Sequence, residues 1–290
     1  MKKALALDIG GTKIFSAIVD EEGKIIGTVK KHSTPKTLEG IKQTLCDICA
    51  ENEDEVDVVT IATAGAVNKE NTKIISSTGN MVEGYSDLDF SFISKRKVFL
   101  ENDANAAAWA EHILGAAKGY SNSITVTLGT GVGGGIIVED CLLKGKSGAA
   151  GEMHFKLAHD HRRQCTCGAW DCWEIYASGN GLKITAEMEF NRNNITSYDV
   201  IEGVKAGNED MKRVFEKWQR YIIDGLIGLS NIFDPDCIVL SGSMAQFVDT
   251  GIVQWEVNKE IIVMPVKILH ASAGNHAGLI GGALLGLKIA

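Results

Sequence analysis

Residues 101–111, ENDANAAAWAE, decide how the rest of this chain is read. The short apolar run from Lys97 to Leu100 has the character of a strand end, and the alanine-rich run that follows is strong helix-forming sequence. Asn102 and Asp103 are therefore predicted at a strand-to-helix junction. In an open α/β sheet the carboxyl ends of strands form the crevice where ligands bind, so an Asn-Asp pair there is placed to grip a polar small molecule, with Asp103 as candidate general base. Helix capping is the competing explanation, since both residue types accept hydrogen bonds from first-turn amides.

The sequence ahead of this junction predicts a small mixed sheet. Ala4 to Ile9, Ile14 to Val19 and Lys24 to Lys30 read as three antiparallel strands. The loop between the first two, DIGGTK at 8–13, has glycines that let backbone amides approach an anion, Lys13 for charge, and Asp8 to hold Mg²⁺ through its hydration shell. Thr37 to Glu51 reads as an amphipathic helix and Val58 to Ala62 as a buried strand ending at Thr63-Ala64-Gly65. Ser76 to Tyr85 reads as a polar loop that carries Asn80.

Beyond the junction the first pattern returns. Ser123 to Leu128 reads as a strand, GTGVGGG at 129–135 as a glycine loop, Ile136 to Glu139 as a second strand, and Cys141 to Leu143 starts a third. One glycine hairpin is a weak signal. Two in equivalent places point to two lobes of related topology that close on one nucleotide. Thr130 would offer a hydroxyl to a phosphate. Further on, helices are expected over 180–233. A buried strand at 236–240 then ends in Ser241-Gly242-Ser243, where a ligand ring could approach the backbone. A last strand is expected at 267–270, followed by a small-residue helix at 278–287 able to pack tightly on another element.

The segment GEMHFKLAHDHRRQCTCGAWDCWE at 151–174 has the most specific spacing. Cys165, Cys167 and Cys172 form C-x-C-x4-C, with His154, His159 and His161 upstream, so three thiolates and one imidazole could close a tetrahedral zinc site. Four protein ligands leave no open position, so such a zinc would be structural. Glu152 and Glu174 flank it and would be fixed by it. Arg162 and Arg163 read as solvated.

Composition narrows the function classes. At 290 residues, 45% of them hydrophobic, the chain suits two lobes. A net charge of −8 leaves no electrostatic footprint for nucleic acid or an anionic membrane, and a small molecule is the expected partner. No apolar run reaches about 18 residues, and no secretory leader is visible, so a cytoplasmic protein is expected. Seven cysteines, an odd number, favour metal binding or burial over a disulfide framework.

Taken together, DIGGTK at 8–13, ENDANAAAWAE at 101–111, LGTGVGGGI at 128–136, AGE at 150–152 and CTCGAWDCWE at 165–174 resemble the ROK family of bacterial sugar kinases and sugar-responsive repressors. The resemblance spans essentially the whole chain. It implies an α/β protein with the actin-like ATPase (ribonuclease H-like) fold, with ATP and sugar in the cleft between two lobes. The smaller lobe would comprise 1–115 completed by a C-terminal helix at 276–290, and the larger 116–275. The family pattern assigns the phosphate site to Asp8, Gly11, Thr12, Lys13, Thr130, Gly131, Gly133 and Gly134, with Gly242 also on the nucleotide. It assigns the sugar site to Gly65, Asn80, Asn102, Asp103, Glu152, His154 and Glu174, with Asp103 as base, and zinc to His154, Cys165, Cys167 and Cys172.

One departure matters. Relatives usually have two residues between the AGE glutamate and the zinc histidine, whereas only Met153 separates Glu152 from His154. His154 keeps the usual distance to Cys165 and stays as ligand, with His159 or His161 as fallback. The implied activity is ATP-dependent phosphorylation of a hexose 6-hydroxyl, with Mg²⁺, in a homodimer. Thr63-Ala64-Gly65 lacks the proline that family glucokinases tend to carry, and AAAWAE resembles the N-acetylmannosamine kinases, so that sugar is expected ahead of glucose. Repressors of the family carry a helix-turn-helix domain before the DIGGTK motif, which here starts at residue 8, so a regulator is not expected.

Overall fold

The computed structural model describes residues 1–76, 81–157 and 162–290. Its elements run β1 (Lys3–Ile9), β2 (Lys13–Asp20), β3 (Ile25–Ser33), α1 (Leu38–Asn52), β4 (Val58–Thr63), β5 (Ala66–Val67), β6 (Ile74–Ser76), β7 (Lys97–Asn102) and α2 (Asp103–Ile113). They continue as β8 (Ser123–Leu128), β9 (Val132–Val138), β10 (Cys141–Leu142), α3 (Glu174–Ala177), α4 (Gly179–Phe190), α5 (Ser197–Lys205) and α6 (Glu209–Phe233). The chain ends with β11 (Cys237–Ser241), α7 (Thr250–Glu260), β12 (Lys267–His270) and α8 (Ala277–Leu287).

Two five-stranded sheets have matching orders, β3-β2-β1-β4-β7 and β10-β9-β8-β11-β12. In the first, β1 pairs antiparallel with β2 and parallel with β4, and β4 pairs parallel with β7. In the second, β8 pairs parallel with β11 and β11 with β12. The repeat seen in the sequence is thus a repeat of topology. The inner strands read as near-continuous apolar runs because both of their faces are covered: all six residues of β4 are buried. The edge strand β3 carries Lys30, Lys31 and a left-handed Gly27, which suits a half-exposed edge.

The chain divides into two compact units. The first holds 1–119, 135–152 and 272–290, and the second 120–134 and 153–271. Residues 135–152, grouped by sequence with the larger lobe, fall in the first unit. In that unit β1 sends Leu5, Leu7 and Ile9 into a core with Ile41, Leu45 and Phe90, and sends Ala4 and Ala6 to the opposite face with Leu279 and Ala283 of α8. Small residues on that face let α8 lie close. In the second unit, Trp173 donates its indole N–H to the Tyr221 carbonyl at 2.7 Å and lies over Gly225 of α6, where a Cβ would collide with the ring. Trp218 donates to the Ala177 and Ser178 carbonyls, both at 3.0 Å. Both indoles are buried with their one polar atom satisfied.

Two local expectations need correction. The predicted glycine loop 129–135 is a turn at 129–131, and Gly133, Gly134 and Gly135 belong to β9. None of the glycines in 129–135 has positive φ. Close packing is what excludes a side chain there: a Cβ on Gly134 would run into Met153, and one on Gly135 into Ala108 and Asn105. Nor is Arg163 solvated. It is buried, donates to the Ile175 and Gly181 carbonyls at 3.3 Å and to Thr185 at 3.1 Å, and stacks on Tyr176. Its neighbour Arg162 pairs with Asp171 at 2.7 Å. Adjacent basic residues looked like a polar surface, and only the packing of the segment against α3 and α4 gives the second one its buried acceptors. Among the described residues no helix is long and apolar enough to cross a membrane.

The contact between α2 and α8 depends on Gly281, whose Cβ would be driven into the Ala106 carbonyl. Gly281→Ala should therefore lower stability by about 2 kcal/mol through overpacking, against the gain of about 1 kcal/mol that Gly to Ala gives in an unobstructed helix. Denaturant unfolding of the two proteins gives the sign directly.

Candidate functional site

The first unit gathers two carboxylates at the ends of its strands. Asp8 is near the end of β1, and Asp103 follows the end of β7 as the first residue of α2. Asn102 is the cap: its Oδ1 accepts from the Ala104 and Asn105 amides at 2.9 and 3.0 Å, while its Nδ2 donates to the Gly65 carbonyl at 3.0 Å. The capping explanation thus applies first to Asn102, and Asp103 shares it by accepting from Ala104 N at 2.8 Å. Gly65 itself adopts φ +100°, a conformation that favours glycine and turns its carbonyl to Asn102.

Asp103 keeps contact with solvent while protein atoms crowd its carboxyl from the other sides. That desolvation raises its pKa, against the opposing pull of the Ala104 amide. Asp8 is raised to about 6, first by burial and then by the negative charge of Asp103. Gly278 at the start of α8 is the common neighbour, since a Cβ there would lie 3.6 Å from both Asp8 Oδ2 and the Asp103 carbonyl. Beside them, the Thr63 and Tyr85 hydroxyls are 2.9 Å apart and buried, with burial pushing the Tyr85 phenol up. Two carboxylates whose repulsion is left unrelieved, in a partly desolvated place, mark a candidate catalytic and cation-binding site.

The turn between β1 and β2 is fixed by its own backbone. Gly10 N donates to Lys13 O at 2.9 Å, Thr34 Oγ1 to Gly10 O at 2.6 Å, and Lys36 Nζ to Gly11 O at 3.2 Å. Thr12 and Lys13 are exposed at its tip. Lys36 is a second cation at this turn that the DIGGTK motif by itself did not reveal.

In the second unit, Glu174 at the start of α3 joins two of the expected features. Its Oε2 accepts from the Val132 amide at 3.1 Å, and its Oε1 accepts from Thr166 Oγ1 at 3.4 Å and Cys165 Sγ at 3.5 Å. The Gly133 amide donates to Thr127 Oγ1 at 3.1 Å. Those partners occupy Val132 N and Gly133 N, and of the expected phosphate residues here Thr130 is the exposed one. Gly134 is buried. Gly242, at φ +90°, meets the Leu128 backbone, so the physical need for glycine there is strand packing.

The metal motif folds as expected from its spacing. Gly168, at φ +84°, closes a turn in which Cys165 N donates to Ala169 O at 2.8 Å, and Trp173 N donates to Phe155 O at 2.8 Å, which returns Cys172 alongside residue 154. The ligand atoms of His154, Cys165, Cys167 and Cys172 all lie within 4.8 Å of one another. Tetrahedral zinc with Zn–S of about 2.3 Å separates its ligands by about 3.8 Å. Cys167 and Cys172 Sγ atoms are 3.6 Å apart, well beyond a disulfide, and all three thiols are free. The four residues fit a zinc ion. The Ala169 amide lowers the Cys167 thiol to about 7, whereas burial pushes the Cys172 thiol up to about 12. A bound cation would favour all three thiolates. Asn80, His159 and His161 lie outside the described residues, and Glu152 is exposed in the first unit.

A model of the ROK family matches residues 4–289. The chain belongs to the ROK family. It is 33% identical to a glucokinase from Streptomyces coelicolor over 322 aligned positions, 98% of this chain and 97% of that protein. It is 30% identical to an N-acetylmannosamine kinase of Yersinia pseudotuberculosis over 292, covering 98% of each. The solved ROK glucokinase from Streptomyces griseus, in complex with glucose and AMPPNP, superimposes with a TM-score of 0.80 at 30% identity, over 99% of both chains. This ROK protein has the actin-like ATPase fold, as its duplicated sheets already indicated.

Two outcomes check the site. Protein purified without added metal should carry about one zinc per chain, and Cys167→Ala, at an exposed position, should lose it without disturbing the core. Elemental analysis of both proteins decides this. Asp8 binds its proton more tightly folded, at about 6, than at its ordinary 3.8, so its protonation stabilises the folded state fully below pH 4, and that stabilisation is lost as pH rises through 6. Asp8→Asn should remove that loss, so that its stability relative to wild type rises between pH 4 and 7 in denaturant titrations.

Proposed function

We propose that this ROK protein is an ATP-dependent hexose 6-kinase. The observation that carries the proposal is the pair Asp8 and Asp103, gathered beside Gly278 at the strand ends of the first unit, both with raised pKa. A base works best with a pKa near the working pH, and desolvation moves Asp103 in that direction. Asp103 takes the proton of the sugar's 6-hydroxyl as that oxygen bonds to the γ-phosphorus, and the bond from phosphorus to the β,γ-bridging oxygen breaks to release ADP.

The remaining roles follow from chemistry already described. The second hydrogen of Asn102 Nδ2 is available to a sugar hydroxyl, and Gly65 holds that amide in place. Lys13 and Lys36 at the 10–13 turn suit the charge of a transferring phosphoryl group, and in the second unit the Thr130 hydroxyl and the Gly131 backbone offer phosphate-binding chemistry of their own. Asp8 is the residue suited to hold Mg²⁺, which when bound with ATP neutralises phosphate charge, and a cation there relieves the Asp8–Asp103 repulsion. The zinc hairpin has a positioning role, because its Thr166 hydroxyl and the Val132 amide both donate to Glu174, a candidate sugar ligand.

Two sugars have support. Small residues at Thr63-Ala64-Gly65 leave room for a 2-acetamido group and favour N-acetylmannosamine, in line with the Yersinia relative. The Streptomyces relatives favour glucose. A homodimer in the cytoplasm belongs to the same proposal.

The test is ADP release with wild-type protein and Asp103→Asn over N-acetylmannosamine, N-acetylglucosamine, glucose and fructose. One hexose should give kcat/KM at least about tenfold above the others. Asp103→Asn should lower kcat by about 10² to 10⁴ with sugar affinity largely kept. Near-normal turnover in the variant would remove Asp103 as base, and a preference for glucose would overturn the N-acetylmannosamine assignment.

A further inference from the structure

Glu101 is the residue next to the Asn102-Asp103 pair, and it is 1% exposed in a strand that is otherwise apolar at its buried positions. Its carboxylate collects five donor contacts. Lys144 Nζ reaches Oε1 at 2.8 Å and Oε2 at 2.7 Å. Asn102 N and Asn105 Nδ2 donate to Oε1 at 2.9 and 3.1 Å, and Asn71 Nδ2 donates to Oε2 at 2.9 Å. All belong to the first unit.

Those donors come from three separate stretches of chain. Asn71 belongs to the connection between β5 and β6, and it is locked to β7 by Leu100 N to Asn71 O at 2.9 Å and Asn71 Nδ2 to Leu100 O at 2.6 Å. Asn102 and Asn105 belong to the cap and first turn of α2. Lys144 begins the segment that leads to Glu152, and its carbonyl accepts from Ala150 N at 3.3 Å. Gly148 of the same segment, at φ +103°, packs on the backbone at 67–69. One carboxylate therefore fixes the bases of the segments that carry Gly65, Asn102 with Asp103, and Glu152.

A buried ion pair is seldom worth more to stability than an apolar pair of the same volume, because both charges lose water. What a saturated charged network does supply is geometry. We propose that the Glu101–Lys144 pair is a positioning device for sugar recognition, holding three substrate-bearing segments in register while touching neither sugar nor ATP. This inference rests on the reading of Gly65, Asn102, Asp103 and Glu152 as sugar-site residues.

The test compares Lys144→Met, Lys144→Arg and the double variant Glu101→Gln/Lys144→Met in steady-state ADP release, with thermal unfolding of each. Lys144→Met should raise KM for the preferred hexose about tenfold or more, while KM for ATP moves less than about twofold. Lys144→Arg, which keeps a cation able to pair with both oxygens, should return the hexose KM to within about threefold of wild type. The double variant removes both charges, so it should regain stability without regaining the hexose KM, and it serves where Lys144→Met alone does not fold. A lowered Tm with unchanged kinetics, or hexose and ATP KM rising together, overturns the positioning role. A wild-type protein that releases no ADP with any hexose overturns the sugar-site reading itself, and the positioning role with it.

Discussion

The close approach of α8 to α2 is the constraint on which the first unit depends. Gly281 meets the backbone of Ala106 and Ala110, Gly286 meets Thr60, and Gly278 meets Asp8 and Asp103. A helix with side chains at those places would stand farther off, and the strand end of β1 would part from the amino end of α2. The two carboxylates share a site because the helix behind them is nearly smooth. The alanines of α2 and of β1 complete the same contact from the other side. Packing at this density has little slack, so a single methyl group is enough to be felt.

Electrostatics follow from that packing. Bringing Asp8 and Asp103 together in a partly desolvated place raises both pKa values, which weakens folding at neutral pH and makes one carboxylate a better base and the other a better partner for a cation. Glu101, one residue before Asn102, is treated in the opposite way, with five donor contacts around a buried carboxylate. The unit thus keeps Glu101 well supplied with donors, while Asp103, two residues on, and Asp8, brought beside it by the fold, are left with raised pKa values. Residual electrostatic need of that kind is what a substrate and a cation can meet.

In the second unit the organising group is Glu174. Its oxygens accept from the Val132 amide and from the Thr166 hydroxyl of the cysteine hairpin, so a metal held by His154, Cys165, Cys167 and Cys172 would stiffen a segment that contains little regular structure of its own. Behind it, the two indoles of Trp173 and Trp218 donate to backbone carbonyls, and Arg163 donates to two carbonyls and the Thr185 hydroxyl. The underside of the hairpin is therefore polar, with most of its buried donors paired and Arg163 Nε left without a partner.

Periodicity, glycine and cysteine spacing were enough to read the duplicated strand pattern, the junction at Asn102-Asp103 and the three cysteines of the candidate metal site, because each of these depends on local chemistry: strand alternation, helix propensity and ligand spacing. The Glu101–Lys144 pair had a trace in the sequence, a carboxylate in an apolar strand, yet its partner is 43 residues away and only the fold brings it near. The glycines of 133–135 were read as a loop, whereas tertiary contacts with Met153, Ala108 and Asn105 are what require them. Buried Arg163 was read as solvent-facing for the same reason. A sequence records which side chains are present and how they repeat, but whether a glycine serves a turn or a contact, and whether a charge is solvated or satisfied, depends on neighbours that only the folded chain supplies.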